Sequence, residues 1–417
     1  MKHDNADIML ARWAKLVSDR QLLKYRPQRL PGKLDNVIIA MSSGVDSSVA
    51  AALFAGEYPN ARGIYMQNWS KSQSLTDPKD DPCYERDWKD VVKVSEHLNL
   101  PVEKVNFEQD YWIDVFEPML EGYNKGWTPN PDISCNKFVK FGKLIQHLNS
   151  KYGNDNYWLV TGHYARIMES ELDKEAHLLR SFYPQKDQSY YLSLVDPKIL
   201  SRLLFPIGHL TKPEVRQLAK EIALPSANKP DSQGICFVNN SQHGKFKNFL
   251  EHYLVESKGD IVTLDQGKKR KWGEHKGLWS YTIGQKIGLS MPQGDPKCAG
   301  TWYVSEKLQD SNELVIVHGS NNPALYKDTL QVQDFTIQGN KKSLLKSLMH
   351  SAVLEGRLTM QYRSLQEPIP ITAFDLSDKK VLNLKLTAKQ RAMAPGQNCC
   401  LYIGDRVLGS GTIREVA

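Results

Sequence analysis

The stretch Asn36–Ser48 reads NVIIAMSSGVDSS. Val37-Ile38-Ile39-Ala40 is an unbroken apolar run of the kind that forms a buried strand. Ser42, Ser43 and Gly44 are small enough for a tight loop. Val49-Ala50-Ala51-Ala52-Leu53 then reads as a helix. Strand, small-residue loop and helix together aim backbone N–H groups and the positive end of a helix at an anion. The stretch predicts a phosphate site, and it is not the G-x-x-x-x-G-K-[ST] pattern.

Further along, Ala61–Gln67 reads as a second strand, Asp87–Leu98 as a helix, and Val102–Val105 and Trp158–Thr161 as strands. Strands alternating with helices predict an α/β unit whose parallel sheet is covered on both faces. Its ligand belongs at the carboxyl ends of the strands, where the loop after Ala40 and the Gly162-His163 turn both fall. Beyond about Phe237 the character changes to strand-like segments between turns: Asp260–Leu264, Trp279–Ile283, Thr301–Val304, Leu314–Val317, Leu358–Arg363, Val381–Leu386 and Cys399–Ile403. These predict two small β-rich modules divided near Asn322-Pro323. The expected organisation is an extension over 1–34, the α/β unit over 35–240, and modules over 241–323 and 324–417.

The 417 residues are 41% apolar and 24% charged, the balance of a globular protein. The net charge of +7 is compatible with a nucleic-acid partner without identifying one. No apolar run approaches the length of about 18 residues that a membrane-spanning helix needs. Six cysteines form no C-x-x-C pair, which gives no zinc spacing, and they are too sparse for a disulfide scaffold. Between Met9 and Lys33 the only acid is Asp19, against seven Lys and Arg, and Leu10, Trp13 and Val17 recur at helical spacing. That start resembles a mitochondrial transit peptide, with Met9 as an alternative first residue.

Two cysteines have informative settings. Cys135 lies in TPNPDISCNKFVKF, where Pro129 and Pro131 predict a stiff, non-helical approach to a helix over Asn136–Leu148. A helix start and nearby Lys137 would favour thiolate, and Asp132 three residues earlier is placed to relay a proton. Cys236 lies in KPDSQGICFV, a turn-rich segment. The run Lys268-Lys269-Arg270-Lys271-Trp272 fits two readings, a phosphate contact and a solvated hairpin tip.

The loop at Ser42–Ser48 resembles the SGGxDS loop of the ATP pyrophosphatase (PP-loop) superfamily, with Ser43 where the pattern has Gly. TPNPDISCNK, TGHYAR, KDQSYYL, GHLTKPEVR, KPDSQGICF, GLWSYTIGQKIGL and APGQNCCLYIGDRVLGSGTI resemble, in order, the tRNA-specific 2-thiouridylases, mitochondrial branch. The resemblance implies replacement of O2 of the wobble uridine by sulfur in mitochondrial tRNAs for Lys, Glu and Gln. ATP would adenylate the uridine, with Mg²⁺ and Ala40, Met41, Ser42, Ser43, Gly44, Val45, Asp46 and Ser47 holding its phosphates. Cys236 matches the persulfide carrier, Cys135 the nucleophile that attacks it, and Asp132 the acid/base residue.

By the same resemblance Met66 and Gly162 lie near adenine and ribose. Asn130, Pro131 and Asp132 face the target base. Lys186, Asp187, Gln188, His163, Tyr362, Arg363 and Gln397 contact tRNA, and Gln361 stands where relatives often carry a basic residue. The partners implied are the tRNA anticodon stem-loop and a persulfide donor fed by a cysteine desulfurase relay, in the mitochondrial matrix, with neither membrane nor DNA. Two rival classes share parts of this pattern: a PP-loop enzyme that adenylates a small molecule, and a non-catalytic tRNA-binding protein. The settings of Cys135 and Cys236 favour sulfur transfer over the first. Intact Asp46, Asp132, Cys135 and Cys236 argue against the second.

Overall fold

The computed structural model describes residues 25–69, 83–231, 245–265, 268–289, 299–339 and 341–417. Its first sheet has five strands in the order β4 (Val102–Asn106), β3 (Ala61–Gln67), β2 (Asn36–Met41), β5 (Tyr157–Thr161), β8 (Leu203–Leu204), and every pairing is parallel. The order runs outward from β2 through β3 to β4, then reverses to the other side at β5. Such a reversal opens a crevice between the strands where it occurs, at their carboxyl ends. The loops after Met41 and Thr161 flank that crevice.

Both faces of the sheet are covered. On one face Val37, Ile39 and Met41 pack with Val45, Val49 and Ala50 of α1 (Val45–Ala55), Val91 of α2 (Cys83–Leu98) and Val215 of the helix Lys212–Glu221. On the other, Ile38 and Ala40 pack with Ile133, Cys135, Val139 and Phe141. Alternation along β2 thus sends one side chain to each layer.

The remaining strands form two further sheets. In the central module the order is β10 (Lys268–His275), β9 (Gly259–Asp265), β13 (Glu313–His318), β12 (Trp302–Leu308), β11 (Lys286–Ile287), around Ile261, Val304, Leu314 and Ile316. The third sheet runs β1 (Tyr25–Pro27), β6 (Arg166–Ser170), β7 (Ala176–Leu179), β19 (Arg406–Val416), β14 (Tyr326–Ile337), β17 (Leu382–Arg391), β16 (Ile369–Leu376), β15 (Leu358–Gln361), β18 (Asn398–Ile403). β18 also pairs with β19, which closes the C-terminal strands on themselves. The β6–β7 hairpin belongs to the α/β region yet joins this barrel at Leu179↔Arg406, where buried Arg166 bonds Asp405 at 2.7 Å. Tyr25, in the segment expected to be an extension, is buried and shares a 3.0 Å hydrogen bond with His177.

Two expected elements differ. Trp279–Ile283 is not a strand: Leu278–Ser280 is a 3₁₀ turn, and Gly284 at φ +81 redirects the chain. Consecutive burial of Leu278 and Trp279 matches that turn, not the alternation of a strand. The helix expected to begin at Asn136 begins at Pro131, because the first helical position is the one where proline's missing N–H costs nothing.

Both β modules dock on the segment that leads to that helix. From the central module, Lys307 Nζ donates to Gly126 O at 2.9 Å. Desolvation pushes this ammonium down to about 7. From the C-terminal barrel, Pro395 O accepts from Thr128 N at 2.8 Å, and a Cβ on Gly396 would lie 2.7 Å from the same nitrogen.

The Lys307 value lies below its ordinary 10.5, so the unfolded chain takes up the proton first as pH falls. Lys307→Met removes that titration. Its stability relative to wild type should rise as pH falls from about 10 to about 7 and stay level below, in denaturant melts across that range. A constant difference would mean that Lys307 does not titrate on unfolding.

Candidate active site

Helix α1 starts without a side-chain cap: its N-cap is Gly44, with φ −80 and ψ 156. The N–H groups of the first turn therefore remain available to a ligand, and they are what binds an anion. Ser47 Oγ lies 3.0 Å from Ser42 N and Ser42 Oγ, and 2.8 Å from Ser42 O, so it braces the loop from inside. Ser43 has no left-handed backbone and is buried. Its hydroxyl donates to Asp87 of α2, and Asp87 pairs with Lys229 at 3.1 Å. The serine that departs from the family pattern thus anchors the loop to the neighbouring helix.

Gly162 closes the other side of the crevice. A Cβ there would lie 2.6 Å from Ser47 N and 2.7 Å from the Asp46 carbonyl carbon. Only a residue without a side chain allows the end of β5 to meet the start of α1. Met66 is the penultimate residue of β3, at the same sheet edge, half-buried against the apolar layer that holds Cys135.

Asp46 is held by two residues that the sequence reading did not single out. Lys212 Nζ lies 2.7 and 2.9 Å from its two oxygens, and Tyr164 Oη donates to it at 2.9 Å. Burial and the adjacent carboxylate push the Tyr164 hydroxyl far up, so it remains a donor. Lys212 is buried and also reaches Asp231 at 2.9 Å, where Arg216 and Lys186 converge at 2.5 and 2.8 Å. Desolvation opposes the charge on Asp231, but bonds from Lys186 and Lys212 outweigh it and hold the carboxyl well below the usual range. The excess of cations over carboxylates suits a polyphosphate. The signal available in the sequence was the first helical position of LTKPEVR, where a Thr211–Glu214 capping box fixes the helix start.

Asn130 caps the helix that begins at Pro131, its Oδ1 accepting from Asp132 N at 3.1 Å. Asp132 sits in the first turn and Cys135 one turn later, on the same side of the helix. Cys135 is buried, 4% exposed. The Lys137 ammonium lies 4.7 Å from the centre of the Phe138 ring. Because the helix starts at Pro131, Cys135 sits past its first turn, beyond the helix end whose field would favour a thiolate. Burial raises the Asp132 carboxyl, against the opposing charge of Lys140. His163 shares a 2.7 Å hydrogen bond with Thr161 and packs on Phe141 and Phe205; burial, with Lys140 adding to it, pushes the ring down to about 3, so it is neutral. Cys236 lies outside the described residues.

The other expected contact residues are dispersed. Asp187 is buried and accepts from Ser181 N and Ser189 N, and Gln188 exchanges hydrogen bonds with the Tyr164 backbone. Of that trio Lys186 and Gln188 are half-buried, Lys186 beside Asp231. Tyr362 is buried with its hydroxyl on Arg391 O at 2.9 Å, while Arg363 is exposed next to it and donates to Ala392 O. Gln361 is buried against Arg180. Gln397 Oε1 accepts from Ala394 N at 2.9 Å.

Three family models match in succession: a tRNA methyl transferase HUP domain over residues 35–240, a tRNA methyl transferase PRC-barrel domain over 247–318, and an aminomethyltransferase beta-barrel domain over 328–413. The chain is 64% identical over 414 residues to mitochondrial tRNA-specific 2-thiouridylase 1 of Saccharomyces cerevisiae, covering 98% of each. It is 35% identical to the protein of that name from Schizosaccharomyces pombe, over 93% of this chain and 92% of the other. It is 39% identical to tRNA-specific 2-thiouridylase MnmA of Geobacillus thermodenitrificans, over 91% of this chain and 95% of the other. An uncapped phosphate loop facing Gly162, beside a helix that carries Asp132 and Cys135, thus occurs in a chain that belongs to the tRNA-specific 2-thiouridylase family.

Proposed function

We propose that this protein is an ATP-dependent tRNA-uridine 2-sulfurtransferase acting on the wobble uridine of mitochondrial tRNAs for Lys, Glu and Gln in the matrix. The observation that carries the reading is the placement of Asp132 and Cys135 on the sheet face beside the phosphate loop, so that nucleotide and thiol chemistry share one crevice. Residues 35–240 serve as the catalytic unit, 241–323 as a central RNA-binding module and 324–417 as a C-terminal barrel. The carboxylate of Asp46 and the uncapped turn above it fit a magnesium–polyphosphate. Bound there, the ion supplies charge neutralisation for the leaving pyrophosphate.

Uridine O2 attacks the α-phosphate, the bond to pyrophosphate breaks, and C2 carries an AMP leaving group. Ala40–Ser47 and Lys212 hold the phosphates, with adenine and ribose against Met66 and Gly162. The outer sulfur of a Cys236 persulfide adds to C2 and AMP departs. Cys135 thiolate attacks the inner sulfur, so that the S–S bond breaks, the outer sulfur remains on C2, and a Cys135–Cys236 disulfide forms. A thiol reductant supplies two electrons to restore both cysteines. Asp132 takes the Cys135 proton. The base enters the pocket flipped from its stack, past Asn130, Pro131 and Asp132. Contacts to the anticodon stem-loop fall to His163, Lys186, Asp187, Gln188, Tyr362, Arg363 and Gln397, at side chains or backbone. The persulfide comes from a relay fed by a cysteine desulfurase.

Incubation with unmodified tRNA for Lys, Mg-ATP and sulfide under reducing conditions should convert the wobble base to 2-thiouridine, read by nucleoside mass spectrometry. When persulfide is the donor, Cys135→Ser and Cys236→Ser should each abolish product and leave tRNA affinity within about twofold. Undiminished product from either variant would break the two-thiol route.

Lys140 opposes the raised value of Asp132, so Lys140→Met raises it further. The acid limb of the pH–rate profile should then move to higher pH, and Asp132→Asn should remove it. An unmoved limb would assign that titration to another group.

Because Tyr25 is buried on His177 and Gln28 Nε2 donates to Leu200 O and Leu203 O, an N-terminus matured in mitochondria should fall before Tyr25. N-terminal sequencing of protein from isolated organelles checks this.

A further inference from the structure

Strand β10 forms an edge of the central sheet, paired on one side only, with β9. Lys268, Lys269, Arg270 and Lys271 are all exposed along it. Their charges are not equivalent. Lys269 pairs with Glu313, and Lys271 with Asp260 at 2.7 Å and Glu274 at 2.9 Å. Among the described residues Lys268 and Arg270 pair with no carboxylate. The two outward cations therefore alternate with two neutralised ones.

A second feature adjoins them. The Arg270 guanidinium lies 3.9 Å from the centre of the Trp272 ring. Trp272 is fixed by an indole N–H bond of 2.9 Å to Thr263 Oγ1 and packs on Trp302 at 5.8 Å. Trp302 meets His318 at 5.2 Å. A ladder of guanidinium, indole, indole and imidazole thus crosses the sheet from β10 to the end of β13. Lysines placed only to keep an edge strand from pairing need no such ladder and no sorting of charge. A cation flattened on an indole has lost most of its side-chain freedom before any partner arrives, and an uncompensated one gains most from meeting a phosphate. Basic groups interleaved with aromatic rings are what a sequence-indifferent RNA surface requires.

We propose that β10 is a docking strand for the RNA backbone: Lys268 and Arg270 grip phosphates of the tRNA outside the reacting nucleotide, with the Trp272 ladder as their support. The assignment rests on the proposed tRNA substrate and adds a contact surface to it. The strand belongs to the module whose Lys307 holds the carbonyl of Gly126, four residues before Asn130. A grip on β10 therefore bears on the segment that presents Asp132.

The test uses the full chain and unmodified tRNA, with binding measured over a series of KCl concentrations. The double variant Lys268→Gln, Arg270→Gln should weaken binding about tenfold or more at low salt and lower the slope of log affinity against log salt by about one to two. Lys269→Gln, Lys271→Gln, which removes charges already neutralised, should change the slope by less. ATP-dependent stabilisation against heat should be the same in all three proteins. Equal affinity and slope for wild type and the Lys268/Arg270 variant, with wild type binding and thiolating tRNA, would overturn the proposal and leave the function standing. A wild-type chain that bound no tRNA would overturn both.

Discussion

The approach of Gly162 to the first turn of α1 is the constraint on which the site depends. Two parallel strands on either side of a reversal diverge, and the crevice between their ends takes its width from whatever fills it. Here a Cβ built on Gly162 after β5 would lie 2.6 Å from Ser47 N, so the two elements are in close contact on that side of the crevice, and α1 keeps an uncapped first turn. Everything that follows in the crevice inherits this geometry. Asp46 sits in the pinned turn, Tyr164 leaves the same β5 loop to hold it, and Lys212 arrives from a third element to balance its charge. A side chain at 162 would push these elements apart by roughly the width of a methyl group, enough to uncouple the loop from its cation.

Much of this core was legible in the sequence, and the reason is local. Ala61–Gln67 reads as a strand with the bounds it has in the structure, and Asn36–Met41 is apolar enough to admit no other reading. What the sequence hid was of two kinds. Proline at 131 reads as a helix breaker by composition, yet at the first helical position behind an Asn cap it is a helix starter, and only the cap geometry tells these apart. Long-range pairings were hidden too. Tyr25 reaches His177, Arg166 reaches Asp405, and Lys212 reaches Asp46 across 152, 239 and 166 positions, and no periodicity records such distances. The KDQSYYL motif shows how the two kinds mix. It is conspicuous as a string, but Asp187 organises its own turn while Tyr190 Oη donates into the C-terminal barrel, at Tyr362 O and Asn398 O.

Such pairings also bring both β modules to the segment that leads to Asp132 and Cys135. Residues 126–130 form a short bridge between the helix Glu117–Asn124 and the one that carries Asp132 and Cys135. The central module holds the bridge at Gly126 O, and the C-terminal barrel holds it at Thr128 N. Arg391 then joins the modules to each other, donating to Gly284 O and Ser320 O and lying over Tyr303. The bridge is thus clamped at two points by two modules that are themselves tied together.

A clamp of that kind links the position of the modules to that of the thiol through rigid contacts alone. A module that shifts carries with it the carbonyl or amide it holds, and one helical turn later that shift arrives at Asp132 and Cys135. The buried setting of Cys135 fits this logic, because a thiol kept within the apolar layer is shielded from stray oxidants. Asp231 gathers Lys186, Arg216 and the same Lys212 that holds Asp46. One lysine therefore ties the loop after β2 to Asp231. The charge in that loop and the charge around Asp231 cannot be electrostatically independent, since both draw on a single buried ammonium.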